Sequence, residues 1–361
     1  MWYRMFSLSC IFVVNAGAFG DILIVRALLC VPILPKLPPD NISENIPDHH
    51  CHVQKVERHQ LLQIYKSLSK FKLTSLVVAT TVTGYFMAPG VVNPSVLACT
   101  ILGTGLTSCA ANTLNQFLEI PYDSQMARTK NRVLVRGLIS PLHAVLFAGA
   151  TGVAGVTTLA LGTNGLTAAL GLANLVLYAG VYTPLKRCSI VNTWVGAVVG
   201  SIPPLMGWAA CTNSIMDPGA LLFGAILFSW QFPHFNALSW NLRGDYSKAG
   251  YRMMAVTHPE LCRRVAAKHT ALLTLMTSAA PLTGMVPWDF LFLALPFNFL
   301  FSMGSIKFYD DPSAGTSREL FHLSLIYLLA IVSLMVACAK LPPLHRKLKA
   351  HFYQNPADAV V

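Results

Sequence analysis

Charge is what this sequence has least of. Only 11% of its 361 residues are Asp, Glu, Lys or Arg, less than half the share that a water-exposed surface needs. That shortage excludes an ordinary soluble enzyme, a disordered chain and a DNA-binding module. Paired cysteines are lacking too. The nine cysteines stand singly along the chain with no CxxC spacing, so neither a zinc site nor a disulfide framework is signalled. What fills the space is apolar: 54% of residues are hydrophobic and the mean hydropathy is +0.54. The formal net charge is +11. In a lipid-embedded chain such an excess reflects orientation and anionic ligands, with no nucleic acid implied.

A bilayer core needs about 20 apolar residues per helix. Nine such stretches are expected, at 72–92, 96–118, 138–160, 164–184, 190–211, 219–240, 265–286, 288–306 and 320–339. Several are rich in small residues, such as TGVAGVTTLALG at 151–162, which let helices approach closely where lipid removes the hydrophobic drive. The expected fold is therefore an all-α membrane protein, a polytopic bundle of about nine transmembrane helices. The connections alternate in charge. Lys55, Arg58, Lys66, Lys70 and Lys72 precede the first stretch, whereas APGVVNP (88–94) and GTNG (162–165) are neutral. Basic residues recur after every second stretch, through Arg128 to Arg136, Lys186 and Arg187, Arg243 to Lys268, and Lys307 with Arg318. This positive-inside pattern places the N-terminal side of the core and the basic loops inside. The basic tail (Lys340, Arg346, Lys347, Lys349) departs from it. Three regions are expected: a targeting or linker segment at 1–64, the bundle at 65–340 and a basic tail at 341–361. Phe6 to Leu34 reads as a signal-like segment or an extra span, and DHHCH at 48–52 as a polar linker with no second ligand cluster.

Two inside connections are long and dense in both charge signs, the kind of loop where function collects. In NTLNQFLEIPYDSQMARTKNRVLVRG (112–137), Asn115 and Glu119 are four apart and share a helix face. Asp123 follows by four, but Pro121 ends the helix first, so Asp123 is expected in the turn just beyond. Oxygen ligands of this number suit Mg²⁺, which takes one or two carboxylates and completes its shell with waters and substrate phosphates. Arg128, Lys130 and Arg132 come next, and guanidinium forks fit phosphate oxygens. Acids to hold a metal beside bases to hold anionic oxygens make a diphosphate cradle. The plainer reading is that these acids and bases simply pair. A carboxylate well inside a span costs at least ~2.5 kcal/mol, which favours a function or a partner for Glu119.

The second connection, FSWQFPHFNALSWNLRGDYSKAGYRMM (228–254), holds His234, Asn236 and Asn241 near the end of a span, then Arg243, Asp245, Tyr246 and Lys248. Asn241 and Asp245 repeat the four-residue spacing, as a weak second half-site. His234 reads equally as packing residue or ligand. In YTPLKRCSIVNTWVGAVVGSIPPLMGW (182–208), Lys186 reads equally as a phosphate ligand or a topology charge, and the Gly and Pro residues as packing. A transporter would put its ionisable groups near the midplane, and a structural assembly subunit would pair them without a metal. The clustering at helix ends on one side favours a membrane-edge enzyme.

Together, N-x3-E-x3-D followed by RTKNR, then YTPLKR, N-x3-G, PP-x2-GW, WQFPHFNALSW and DY-x2-AG resemble the protoheme IX farnesyltransferases (heme O synthases) of the UbiA superfamily of intramembrane prenyltransferases. PHFNALSW and THPELCRRV resemble the mitochondrial, animal-type form. The resemblance covers roughly 65–340. It implies a nine-helix bundle around a central cavity, in the mitochondrial inner membrane with both motif loops on the matrix side. It implies Mg²⁺-assisted transfer of farnesyl from farnesyl diphosphate to a vinyl group of heme B, giving heme O, the precursor of heme A. Implied protein partners are heme A synthase and cytochrome oxidase assembly factors. By position, Asn115, Glu119 and Asp123 match the first metal-diphosphate motif, although Asp is usual where Glu119 stands. Asp245 alone remains of the normally Asp-rich second motif, with Asn241 in its partner's place. Arg128, Lys130, Arg132, Lys186, Arg243 and Lys248 are then diphosphate ligands. His234, Asn236, Asn241 and Tyr246 fall to the acceptor side, where His234 or Tyr246 steers water or holds a propionate. Transfer to another flat acceptor, such as a quinone precursor, is the alternative within the class.

Overall fold

The computed structural model describes residues 58–340. The expected leader, the DHHCH linker and the basic tail at 341–361 lie outside them. Among the described residues every element is a helix. A short α1 (Arg58–Leu68) turns into α2 (Phe71–Met87), so it crosses the expected domain boundary at 64/65. Then come α3 (Pro94–Leu118), a one-turn α4 (Ile120–Asp123) and α5 (Pro141–Gly162). The next span starts as α6 (Gly165–Val176), continues as a π-helical segment (Leu177–Tyr182) and ends as α7 (Thr183–Cys188). α8 (Asn192–Thr212) and α9 (Pro218–Asn241) follow, then short α10 (Arg243–Lys248) and α11 (Met254–Thr257). The rest is α12 (Pro259–Ala279), α13 (Asp289–Asp310) and α14 (Ala314–Lys340).

Each of the nine expected stretches therefore meets a long helical segment. Six are both long and apolar enough to cross a membrane; α2, α9 and α12 are the others. α2 has only 17 residues. α9 carries Gln231, His234 and three asparagine or serine side chains in its last turns, and the first turns of α12 hold Glu260, Arg263 and Arg264.

Local sequence explains where the helices begin. α3, α5 and α9 start with proline, whose missing N–H costs nothing in a first turn. Asn93, Ser140 and Asn164 accept backbone N–H bonds ahead of α3, α5 and α6. The two halves of the bundle pack differently. In the first half, α3 lies on α5 and α2 on α8 through small residues. A Cβ on Gly207 would stand 1.8 Å from the Thr81 carbonyl, and one on Gly84 2.0 Å from that of Pro204. The second half, α9 with α12, α13 and α14, is filled by the wholly buried Phe223, Phe232, Phe290, Phe301 and Phe308. The outer face is apolar, with Leu146, Val153, Phe292, Phe299 and Leu329 all exposed, as a lipid-facing surface requires.

Candidate functional site

The inner end of α3 carries the site. Its last turns bury Asn112, Asn115 and Gln116, and Glu119 caps it with its N–H on the Asn115 carbonyl, 3.0 Å away. Pro121 then starts α4, and Asp123 ends it, fully buried. The expected break at Pro121 is thus present, and it turns Asp123 back under the helix. Thr129, also buried, donates to the Asp123 carbonyl at 3.0 Å. This folds 124–132 over so that the Arg132 guanidinium reaches both the Asp123 and the Glu119 carboxylates.

A second wall comes from the π-helical segment. The extra residue per turn rotates the helix beyond it, and Lys186 arrives with its ammonium 2.6 Å from Glu119 Oε1 and 4.5 Å from the Tyr182 ring centre. Thr183 Oγ1 accepts from Asn115 Nδ2 at 3.0 Å and donates to the Tyr178 carbonyl at 2.8 Å. The third wall is the corner between α1 and α2, where the Lys70 ammonium donates to Asn115 Oδ1. Six side chains therefore converge: Lys70, Asn115, Glu119, Asp123 and Arg132, with Lys186 closing the far side.

Burial alone would raise the Glu119 carboxyl, but the Lys186, Lys70 and Arg132 charges outweigh it and hold Glu119 below the usual range. Asp123 goes the other way. Burial pushes it up against the pull of Arg132, and the Glu119 charge adds to the rise. Its Oδ1 is buried and accepts no hydrogen bond. Burial and the Arg132 charge push Lys70 down to about 7.

Of the residues picked from sequence, Asn115, Glu119, Asp123, Arg132 and Lys186 come together. Arg128 and Lys130 do not join the ion pairs; both are exposed, because the turn that aims Arg132 inward points them to solvent. The second loop approaches through other groups. Asp245 and Tyr246 are half-buried on α10, Arg243 and Lys248 exposed. Tyr246 packs on Tyr251, Tyr251 on Tyr122, and Arg187 lies over Tyr122 at 4.4 Å and donates to the Ala249 carbonyl at 3.0 Å. Asn192 Nδ2 donates to the Arg252 carbonyl, and the Arg252 N–H to that of Lys186. Asn241 accepts from Ser317 and Asn236 donates to the Cys262 carbonyl, so both tie α9 to its neighbours. His234 hydrogen-bonds Ser324 at 2.8 Å and stacks between Trp230 and Phe321, which packs α9 on α14. Among the described residues no three His, Cys, Asp or Glu side chains gather to hold a metal. The site offers two carboxylates and one amide. From sequence, Lys70 and Arg187 read only as topology charges, and Thr183 and Gln116 do not stand out. The one available signal was that Lys70 stands immediately before an apolar stretch.

Residues 77–334 match the model of the UbiA prenyltransferase family. The chain belongs to that family. Among curated members, a human protein named mitochondrial protoheme IX farnesyltransferase is 52% identical over 315 residues, covering 85% of this chain and 71% of the relative. One of the same name from Pongo abelii is 55% identical, covering 79% and 64%. The UbiA-family fold is also seen in solved structures of low identity. A digeranylgeranylglyceryl phosphate synthase superposes with TM-score 0.67 at 13% identity, over 78% of this chain and 99% of that one. An apo UbiA homologue from Aeropyrum pernix K1 gives 0.60 at 16%, over 74% and 98%. A homologue from Archaeoglobus fulgidus bound to DMAPP and Mg²⁺ gives 0.56 at 13%, over 77% and 99%.

Proposed function

We propose that this chain transfers the farnesyl group of farnesyl diphosphate to a vinyl group of heme B, making heme O for heme A and cytochrome oxidase. The observation that carries this reading is the buried meeting of Asn115, Glu119 and Asp123 with Lys70, Arg132 and Lys186 at one helix mouth, in a chain so similar to named farnesyltransferases. In the reaction the allylic C–O bond breaks, the farnesyl carbon bonds to the outer vinyl carbon, and water adds its oxygen to the inner one. Diphosphate and one proton leave.

The residues present fit a Mg²⁺ ion. Asp123 Oδ1 is buried without a partner, and two carboxylates with one amide oxygen are a donor set that substrate phosphates complete. Asn115, Glu119 and Asp123 would hold it, and it would supply Lewis-acid stabilisation of the leaving diphosphate. Arg132 and Lys186, brought to the site by their carboxylate partners, add charge beside the diphosphate once it is bound, so little rearrangement is needed as the bond breaks; one such donor is worth roughly 3–4 kcal/mol elsewhere. Arg128 and Lys130 are exposed at the mouth and meet the diphosphate only on its entry. Tyr246, half-buried against Tyr251, is the group left for the acceptor side, since His234 is taken up in packing α9 on α14. The basic loops favour a mouth on the matrix side of the inner mitochondrial membrane, with heme A synthase or assembly factors taking the product.

The test is to supply membranes containing the chain with farnesyl diphosphate and either heme B or 4-hydroxybenzoate. Heme O by mass analysis with the first and no prenylated product with the second is expected. Product only with 4-hydroxybenzoate would assign the chain to a quinone-type acceptor instead.

A further inference from the structure

Lys70 occupies an unusual place. It is a lysine with left-handed backbone (φ 48°, ψ 54°) at the corner between α1 and α2, a conformation that glycine or asparagine normally supplies. The corner is locked around it. Gln116 Nε2 donates to the Ser67 and Leu68 carbonyls at 3.0 and 2.6 Å, and Thr74 Oγ1 to that of Ser69 at 2.9 Å. Strain held in place by its surroundings marks functional positions, and here it delivers one group, the ammonium, onto Asn115 Oδ1. The pattern repeats around the cluster. Lys186 and Arg132 sit on Glu119, and Arg132 on Asp123. Three basic side chains face two carboxylates, so the protein alone presents no net negative charge to a divalent cation, and every side chain expected to bind one has a base beside it, Asp123 through its Oδ2.

Resting on the diphosphate reading above, we infer that Lys70 is a positioning residue that holds the metal's place: its ammonium sits on Asn115 Oδ1 until a diphosphate draws it away, so that cation and diphosphate bind jointly. With the diphosphate present the three bases have anionic oxygens to turn to, and Asn115, Glu119 and Asp123 are released to the cation. Without it, a free cation competes against three neighbouring positive groups.

Equilibrium dialysis of the purified full-length chain tests this, with Mn²⁺ and inorganic pyrophosphate as probes and manganese and phosphorus counted on both sides. The wild-type chain is expected to retain Mn²⁺ about tenfold or more better with pyrophosphate than without, within the usual range of coupling between two ligands. Lys70→Gln is expected to retain Mn²⁺ alone several-fold better than wild type, and to gain less from pyrophosphate. A fold defect does not raise affinity, so this direction separates place-holding from structural damage. Equal retention of Mn²⁺ by wild type with and without pyrophosphate overturns the inference while leaving the diphosphate site standing, as does a Lys70→Gln chain no better than wild type. Failure of wild type to retain either probe when both are present overturns the diphosphate reading and the inference with it.

Discussion

At the scale of single residues, the site is a set of pairings whose removal has distinct costs. Lys186 is 9% exposed and holds Glu119, itself 4% exposed. Replacing it by methionine leaves a buried carboxylate short of a partner, a loss that typically costs about 3–5 kcal/mol, so Lys186→Met is expected to lower the thermal midpoint as well as the turnover. Arg132 and Lys130 provide a sharper comparison, being two residues apart with Arg132 half-buried in the ion pairs and Lys130 exposed. Arg132→Gln is expected to cut heme O formation roughly a hundredfold, the effect of losing one preorganised donor, whereas Lys130→Gln costs far less. Equal losses in a membrane turnover assay would put the diphosphate outside the buried cluster. The sequence showed much at this scale. The spacing of Asn115, Glu119 and Asp123 and the break at Pro121 were readable because helix periodicity and proline geometry are local rules. Lys70 was not, since its role depends on a backbone corner that only Gln116 from another helix secures. Nor was the outward turn of Arg128 and Lys130, which depends on Thr129 bonding back to the Asp123 carbonyl.

At the scale of elements, hydropathy locates helices well and their ends poorly. The stretch expected at 265–286 begins at Pro259 in the structure, because its first turns carry Glu260, Arg263 and Arg264 in ion pairs and so lie outside any apolar window. The one expected at 320 begins at Ala314 for a similar reason, with Glu319 paired to Lys307. The π-helical turn before Lys186 has no sequence signature, yet it aims that side chain. Close helix approach gives the element-scale prediction. Gly207→Ala would place a Cβ 1.8 Å from the Thr81 carbonyl, while Gly149 has nothing within 4 Å. Gly207→Ala is expected to destabilise by about 1–3 kcal/mol, as overpacking does, and Gly149→Ala to be nearly neutral. Matching thermal midpoints for the two variants in detergent would refute this account of the α2–α8 contact.

At the scale of the whole molecule, composition alone excluded a soluble protein, and the alternation of basic and neutral connections gave the bundle its inside and outside. The helix bundle and the family likeness agree with the membrane reading. The cluster lies at the end of the bundle where the basic loops gather, which is what charge-driven capture of a diphosphate from the aqueous side requires. Chelation of divalent cations in membranes is expected to stop farnesyl transfer, and Mg²⁺ to restore it; turnover unaffected by a chelator would remove the metal from the mechanism. The central claim is that buried oxygens at this helix mouth, through a cation, draw diphosphate from an allylic chain. Asp123→Ala tests it most directly, in membranes supplied with farnesyl diphosphate, heme B and Mg²⁺, with extracted hemes read by mass spectrometry. The account predicts heme B unchanged and heme O at or near background; heme O at the wild-type level would contradict it.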